Sequence, residues 1–514
     1  MASELPQVQC INDDIDNKDS YNDTTTKDDY GIGVVQNVSV QLADPKLARR
    51  VVRKIDLCVL LCMFVTYNLT FIDKYILASA SVLGLTKDTH LHGSEYGWVG
   101  SIFYFGWLVW EYPAAVLVQK LPVGKYIAGV TFIWGAVVAV TASTSNFGGL
   151  AVCRILLGMA EATISPAFIF ITSTWYTRSE IPFRLGIWSS GNSIGSIIAS
   201  ICAYGIGQIE HPLHPWQWLF IIFGIATSLW SIVLFFFLPD SIDTAIFLDE
   251  EEKRYAQDRV VLAGTGRVSG ENKKYKFEQV IECFKDPKTY FSAAITILTM
   301  IPNGGTGTFG NLALKSFGFT NLQTMLVNLP VGVIAFITIN ITGWIASRYQ
   351  NMALILLMIT VIPPVVGCAL IAQLENKGVR LFGYYCLQTG VGAFPHILSL
   401  IAANFKGVTK KMTMSAVVYI SYCVGNIIGP QTFLPSEASR GYPTGFNGIM
   451  SCYALTILLC GLYRCYLMVV NKRTSREMQA EGENMSEGGE ARVLNEDDYN
   501  DITDWNTLGF RYRM

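Results

Sequence analysis

Five ionisable residues lie inside stretches of this sequence that are otherwise apolar enough to enter a lipid bilayer. They are Asp73, Lys74, Glu111, Arg154 and Glu161. A charged side chain at the centre of a bilayer costs roughly 2.5 to 3.5 kcal/mol, so chains keep such residues mainly where they are used. Side chains of these types can bind an organic anion, carry a proton or neutralise one another. These residues therefore form the candidate functional site.

The segment "RILLGMAEATISP" places Arg154 and Glu161 seven residues apart. On a helix they share a face and lie about 10 Å apart along the axis, too far to pair directly. Gly158 lies between them and leaves room for an anionic group or a neighbouring helix. The forked guanidinium of Arg suits a carboxylate, and a low dielectric favours the protonated form of an acid. We predict that Asp73 and Glu161 carry the coupling proton, and that Lys74 and Arg154 bind the substrate; a network that only neutralises charge is the alternative.

Further candidates are polar but mostly uncharged. Glu111 shares a stripe with Tyr104 and Trp107, and it either faces a cavity or reaches the membrane interface. His396 is more often a hydrogen-bonding residue than a proton relay, and we assign it and Glu111 supporting roles only. The second half of the chain has no acidic or basic residue deep in its apolar stretches. The predicted substrate contacts from these groups are Tyr104, Asn303, Gln388 and Asn426.

The composition indicates the elements that must hold these residues. Of 514 residues, 51% are hydrophobic and only 15% are charged, whereas soluble proteins carry about 25% charged residues. Mean hydropathy is +0.35. Apolar stretches long enough to span a bilayer as helices recur along the chain. This pattern predicts an all-α membrane protein with about twelve transmembrane helices, at 56–80, 97–119, 126–143, 148–172, 185–207, 216–238, 290–312, 323–346, 352–373, 381–403, 413–434 and 446–469.

A weak internal repeat divides these helices into two sets of six. "GNSIG" at 191–195 returns as "GNIIG" at 425–429, and Pro166 and Pro395 are separated by a similar offset. Two packed six-helix halves with a site at the membrane midplane are the architecture of many secondary transporters. We predict a disordered tail at 1–45, six-helix halves at 46–239 and 290–470, a linker loop at 240–289, and a second tail, also disordered, at 471–514.

The distribution of charge predicts the orientation. Basic residues cluster at alternate ends of the predicted helices, and the positive-inside rule then places both tails and the linker loop in the cytosol. The first 45 residues contain no signal-peptide core, so the first helix would serve as an uncleaved insertion signal. We expect a multi-pass membrane protein, located in the plasma membrane. No C-x-x-C spacing or P-loop occurs, since "GGTGTFG" lacks a following G-K-[ST]. We therefore expect no metal, no cofactor, no enzyme activity, no nucleic-acid partner and no transport driven by ATP.

Seven stretches of the sequence are together specific: "FIDKYILASASVLGL", "GSIFYFGWLVWEYPAAVLVQKLPVGKY", "CRILLGMAEATISPAFIFITSTWYTRSEIPFRLGIW", "FFFLPDSIDTAIFLDEEEK", "IPNGGTGTFG", "SFGF" and "GNIIGPQTF". Through them the chain resembles the major facilitator superfamily over about 50–475, and within it the fungal allantoate permease branch of the anion:cation symporter family. This resemblance implies an alternating-access transporter of small organic anions, usually driven by protons. It also implies proton coupling through Asp73 and Glu161, and substrate or network contacts of Lys74 and Arg154. Many relatives have Arg in place of Lys74, and a lysine cannot make the same two-pronged contact.

The leading hypothesis is a proton-coupled importer of a small carboxylate or vitamin-like acid that works as a monomer. Two alternatives stay open at this stage. The same fold can export a metabolite, and a nutrient sensor would bind a ligand without much flux. The short tails argue against the sensor, because a sensor needs a folded domain that signals.

Overall fold

The computed structural model describes residues 45–177, 180–209, 211–262, 276–349, 351–486, 502–507 and 510–514. A π-helical turn at Asp56–Leu60 joins the first two helices. The helices of the first half are α1 (Pro45–Ile55), α2 (Leu61–Val82), α3 (Leu85–Asp88), α4 (Glu95–Lys120), α5 (Val123–Thr141), α6 (Phe147–Ala162), α7 (Ile164–Trp175), α8 (Ile181–Ser189), α9 (Gly191–Ile206) and α10 (Pro215–Phe237).

The linker contains two helices, and the second half contains eight. The linker helices are α11 (Glu250–Leu262) and α12 (Phe277–Lys285). The helices of the second half are α13 (Pro287–Ser316), α14 (Asn321–Val327), α15 (Leu329–Arg348), α16 (Ala353–Gln373), α17 (Lys377–Leu387), α18 (Ala393–Asn404), α19 (Val408–Gln431) and α20 (Pro443–Ser486). A short 3-10 segment at Gln388–Gly392 lies between α17 and α18.

Ten stretches in the described part of the chain are helical, long and apolar enough to cross a membrane. They coincide with ten of the twelve predicted spans. The predicted fifth span is also helical, but it is divided at Ser190 into α8 and α9, each too short to count alone. The predicted seventh span lies in α13, which is 30 residues long but contains the polar run "NGGTGTFGN". Both departures come from small and polar residues, which are frequent where membrane helices pack on one another.

The repeated glycine motif has the same packing role in both halves. A Cβ on Gly195 of α9 would lie 2.8 Å from the backbone oxygen of Asn68 in α2. A Cβ on Gly429 of α19 would lie 2.3 Å from the backbone oxygen of Ile301 in α13. Each motif therefore lets the fifth helix of its half pack tightly against the first. The two halves are pseudo-symmetric, as the repeat predicted.

Two prolines break corresponding helices of the halves. Proline has no N–H to donate to the carbonyl four residues earlier, so a helix tends to be interrupted one turn before it. Pro166 follows the break at Thr163 between α6 and α7, and Pro395 follows the 3-10 segment before α18. The first of these breaks comes two residues after Glu161. It therefore lies beside a predicted site residue.

The two halves contact each other through α2 and α13, α4 and α19, and α9 and α15. Hydrogen bonds join them where these helices are far from the linker. Tyr96 Oη donates to the Thr308 carbonyl at 2.8 Å, and Ser101 Oγ donates to the Ile427 carbonyl at 2.7 Å. Asn311 Nδ2 donates to Ser79 Oγ at 3.3 Å. These contacts hold the halves together at one end of the bundle.

The other end of the bundle carries α11, α12 and the C-terminal residues, and we call it the linker face. The carboxylate of Glu252 in α11 pairs with Arg50 at 3.0 Å and with Lys54 at 2.6 Å, both in α1 of the first half. In α12, Glu282 pairs with Lys410 of the second half at 2.8 Å. Each linker helix is thus attached to a different half.

The tails differ from their predicted disorder in one place. Residues 1–44 lie outside the described residues. At the other end, α20 continues to Ser486, and residues 502–507 and 510–514 pack against the linker face of the second half. Composition alone did not reveal this, because the attachment depends on contacts with residues far away in sequence.

Candidate functional site

The site begins with a close approach of α4 and α6. A Cβ on Gly158 would lie 1.9 Å from the Phe103 carbonyl oxygen, and one on Gly106 would lie 2.2 Å from the Ile155 carbonyl oxygen. Only glycine permits these backbones to come so close. The contact brings the aromatic residues of α4 beside Glu161, three residues beyond Gly158.

Lys74 and Glu161 form an ion pair inside the bundle. Lys74 Nζ lies 3.4 Å from Glu161 Oε2. The same ammonium lies 4.4 Å from the ring centroid of Trp107 and 5.3 Å from that of Phe103, where cation–π attraction adds to the pair. The Lys74 side chain is 24% exposed, whereas that of Glu161 is fully buried. The Lys74 ammonium is flanked by aromatic rings but is still partly accessible to a ligand. It is therefore suited to exchange one anionic partner for another.

Trp107 extends this pair toward Glu111. Its indole Nε1 donates to Glu111 Oε2 at 2.7 Å, while its ring faces Lys74. The two predicted acids Glu161 and Glu111 are therefore connected through one lysine and one tryptophan. Glu111 is half-buried. The hydrogen bond from Trp107 links Glu111 to the group around Lys74.

Asp73 has a different environment from its neighbour Lys74. It is 3% exposed, and Trp134 Nε1 donates to its Oδ2 over a long 3.4 Å. Its Oδ1 has no hydrogen-bond partner among the described residues. The carboxyl of Glu161 is close enough to interact electrostatically with it. Asp73 and Glu161 thus form a pair of buried acids with a single cation beside them.

Arg154 lies apart from this group. Its side chain is 2% exposed, and its guanidinium carbon lies 5.9 Å from the ring centroid of Phe220. Neither Nε nor Nη2 has a hydrogen-bond partner among the described residues. No ion pair between Arg154 and Glu161 forms, as the seven-residue spacing predicted, and the space at Gly158 between them is taken by a neighbouring helix, α4. Arg154 is therefore a buried cation that has no acid partner within the described part of the chain.

The second half contributes an aromatic wall. The ring centroid of Tyr422 in α19 lies 6.1 Å from that of Tyr104, 6.3 Å from that of Trp107 and 5.2 Å from that of Phe394 in α18. The predicted residue Tyr104 is thus at the boundary between the halves. Neither Tyr422 nor Phe394 was predicted, because aromatic residues are common in any membrane helix and only their position distinguishes these two.

The remaining predicted residues all lie in the second half. Asn303 Nδ2 donates to Asn426 Oδ1 at 2.9 Å, and Asn426 Nδ2 donates to the Tyr422 carbonyl at 2.8 Å. Asn426 is fully buried, so in this conformation these groups tie α13 to α19. Gln388 is 9% exposed in the 3-10 segment, and His396 is 3% exposed with no partner for Nε2 among the described residues.

The arrangement defines a class of protein. Two pseudo-symmetric bundles meet at a small group of ionisable and aromatic residues near the middle of their helices, which is the design of a secondary transporter. Residues 63–430 match the family model described as Major Facilitator Superfamily. The chain belongs to this family, and its fold is the fold of the family. It is a transporter and not an enzyme.

Several curated relatives are similar along nearly the whole chain. The allantoate permease of Saccharomyces cerevisiae is 32% identical over 484 residues, covering 91% of this chain and 87% of the relative. The thiamine pathway transporter THI73 of the same yeast is 31% identical, covering 95% and 90%. An uncharacterized transporter of Schizosaccharomyces pombe is 33% identical, covering 95% and 93%. The resemblance to the allantoate permease branch is thereby confirmed.

Solved structures support the fold. The D-xylose-proton symporter matches with a TM-score of 0.59 at 12% identity, covering 79% of this chain and 97% of that structure. A bacterial homologue of the human lysosomal transporter Spinster, in an inward-facing and unoccupied conformation, matches with a TM-score of 0.59 at 14% identity, covering 79% and 96%. At these identities the likeness concerns the fold alone.

Proposed function

We propose that this protein takes up a small organic anion together with protons, and that Lys74 and Arg154 bind the anion, with Lys74 as the group that links anion binding to the proton. The observation that carries the proposal is the Lys74–Glu161 pair, in which a buried acid faces a lysine that remains 24% exposed. The name of one relative supports the substrate class, because allantoate is an organic carboxylate. The aromatic wall of Tyr104, Trp107 and Tyr422 would pack against the body of such a molecule.

Coupling follows from competition for one cation. While Glu161 is ionised, it is the acid paired with Lys74. A proton on Glu161 removes that attraction and leaves the ammonium available to a substrate carboxylate. Proton and anion then bind together, and they leave together when Glu161 ionises and pairs with Lys74 again. Asp73, which lies near Glu161, is the second acid that can hold the proton.

Movement of the halves would supply access from both sides. The hydrogen bonds from Tyr96 and Ser101 across the boundary close the end of the bundle away from the linker. We infer that this conformation opens toward the linker face, and that the linker face is cytosolic, as the basic residues predict. A plasma-membrane location belongs to the same proposal.

The test is uptake of a panel of labelled organic acids by cells that express the protein, with and without an inward proton gradient. We expect accumulation of at least one carboxylate that depends on the gradient. Efflux against the gradient instead would indicate an exporter. Binding without flux would indicate a sensor.

Amide variants of the acids test the coupling. Glu161→Gln and Asp73→Asn each imitate one protonation state permanently, so we expect gradient-driven accumulation to be lost while exchange of substrate across the membrane persists. Surface abundance, accumulation and exchange are measured on the same cells. Uphill accumulation with the parent's pH dependence in both variants would contradict the proposal.

A further inference from the structure

The last residues of the chain occupy a defined place on the linker face. We call residues 502–507 and 510–514 the C-terminal segment. The Arg513 N–H donates to Asn404 Oδ1 at 2.7 Å, and Asn404 Nδ2 donates to the Arg513 carbonyl at 2.8 Å. Asn471 makes the same reciprocal pair with Tyr512, at 2.9 and 2.8 Å. Each of the two asparagine side chains thus accepts a hydrogen bond from the N–H of one segment residue and donates one to the carbonyl of the same residue.

A single carboxylate forms the electrostatic centre of the contact. Asp504 is 2% exposed, and its Oδ1 lies 2.7 Å from the Nζ of Lys410. Its Oδ2 accepts from Lys288 Nζ, and also from Tyr512 Oη at 2.9 Å. Both lysines are themselves buried. Burial acts against the charge of Asp504, but Lys288 and the hydrogen bonds from both lysines hold the pKa of Asp504 below its usual range.

The same cluster already contains an excess of negative charge. Asp286 lies 3.2 Å from Lys288 and 3.1 Å from Lys410, and Glu282 lies 2.8 Å from Lys410. With Asp504, three carboxylates therefore share two ammonium groups. Because both ammonium groups are already paired, a further negative charge beside Glu282 would be repelled by that carboxylate, while the other lysine near the segment, Lys406, donates to Thr507 Oγ1 at 3.1 Å.

Thr503 is where such a charge can be introduced. Its hydroxyl donates to Glu282 Oε2 at 2.9 Å, and the residue is 2% exposed. Phosphorylation would replace this donor with a group that carries about −1.5 to −2 charges and only accepts hydrogen bonds. The bulk and the charge would both be incompatible with the position that Thr503 occupies beside Glu282.

We propose that the C-terminal segment is a detachable ligand of the site formed by Lys288 and Lys410, and that phosphorylation of Thr503 keeps it detached. Because Thr503 is buried in the docked segment, a kinase can reach it only after the segment has left. The threonine Oγ attacks the γ-phosphorus of a nucleoside triphosphate, its proton passes to the kinase, and the nucleoside diphosphate leaves. The phosphate then prevents redocking. The proposal does not depend on the transported substrate.

Hydrogen exchange of the full-length protein in lipid nanodiscs tests the proposal. The amides of Tyr512, Arg513 and Met514 donate to side chains of the second half, so the docked segment should be protected. We expect Thr503→Glu and Asp504→Asn to speed exchange in the segment by at least about 10-fold, because opening becomes easier as the contacts weaken. Segment amides of the parent that exchange as fast as in a free peptide would overturn the docking.

Two control variants separate charge from packing. Thr503→Val removes one hydrogen bond without adding charge, and Arg511→Gln changes an exposed residue of the segment. Both should keep exchange within about threefold of the parent. Equal acceleration by Thr503→Glu and Thr503→Val would contradict control by charge. Exchange in the middle of α19 should stay at the parent's rate in every variant, and its acceleration would mean general loosening rather than release.

Discussion

Each half contains a lysine that is paired with acids inside the protein, and the two lysines differ in exposure and in the number of their partners. In the first half, Lys74 lies at mid-helix with Glu161 as its acid partner and keeps 24% of its side chain exposed. In the second half, Lys410 lies in the first turn of α19 with no exposed side-chain surface and three carboxylates within 3.1 Å. Lys74 is therefore partly exposed and has room for a different partner, whereas Lys410 is enclosed by its carboxylates.

At Lys74 a substrate can take the place of the single acid partner, whereas at Lys410 the carboxylates of Glu282 and Asp286 remain paired with the lysine even when the C-terminal segment leaves. A buried charge with several hydrogen-bonded partners is costly to disturb and rigidifies its surroundings. A partly exposed charge with one acid partner, such as Lys74 at the boundary between the halves, can be left by that partner when a ligand replaces the acid or a proton neutralises it. The two halves are therefore similar in fold but differ in the surroundings and roles of their lysines.

Removal of Lys74 should have the largest effect. Lys74→Met leaves Glu161 buried without its cation, and we expect uptake to fall by at least about 100-fold and stability by about 3–5 kcal/mol. Uptake and thermal unfolding in detergent are measured together. In the double variant Lys74→Met/Glu161→Gln the stability should recover, because no charge is left unpaired, while uptake stays lost. Recovery of uptake in the double variant would show that the pair only neutralises charge.

Replacement of Arg154 should reduce uptake without loss of stability. In this conformation the guanidinium has no acid partner in the described part of the chain, so Arg154→Ala removes an uncompensated buried charge. We expect at least about 10-fold lower uptake with an unchanged or higher unfolding temperature, and little recovery with Arg154→Lys, since an ammonium lacks the planar fork. Parental affinity in the lysine variant would contradict a two-pronged grip on substrate.

The opposite pattern is expected at Lys410. Lys410→Met leaves Asp286, Asp504 and Glu282 with one lysine instead of two, and it should lower stability by about 3 kcal/mol. Lys410 lies twelve residues, or about 18 Å of helix, before Tyr422, which is the residue of α19 at the site. KM for uptake by the folded fraction should therefore stay close to that of the parent. A large rise in KM would mean that the two lysine sites are coupled.

The sequence predicts the helices far better than the site. Long apolar runs identify the membrane spans, and only small and polar residues near Ser190 and in α13 obscure two of them. The site depends on which helices touch. Gly158 and Gly106 bring α4 against α6, and this contact places Trp107 beside Lys74, which no spacing within one helix could indicate. The same holds for Asp504, whose lysine partners are more than ninety residues away in sequence.

The smallest effect is expected at Glu111. Variants of this residue test whether the site at which Lys74 exchanges its partners, formed by Asp73, Lys74, Trp107 and Glu161, also includes Glu111. Trp107 Nε1 donates to Glu111 Oε2 at 2.7 Å, and Glu111→Gln keeps an oxygen that can accept the same bond. The orientation of the indole over Lys74 should therefore persist, and uptake should stay within about threefold of the parent, in line with the modest net worth of one hydrogen bond.

Glu111→Ala is the matched comparison, because it removes the acceptor as well as the charge. It should release the indole and weaken its contact with Lys74, so its uptake should fall clearly below that of Glu111→Gln. If instead both variants lose gradient-driven uptake equally, the charge of Glu111 is what transport needs. Glu111 would then be a third titrating acid, and the site at which Lys74 exchanges its partners would reach from Asp73 to the linker-face end of α4.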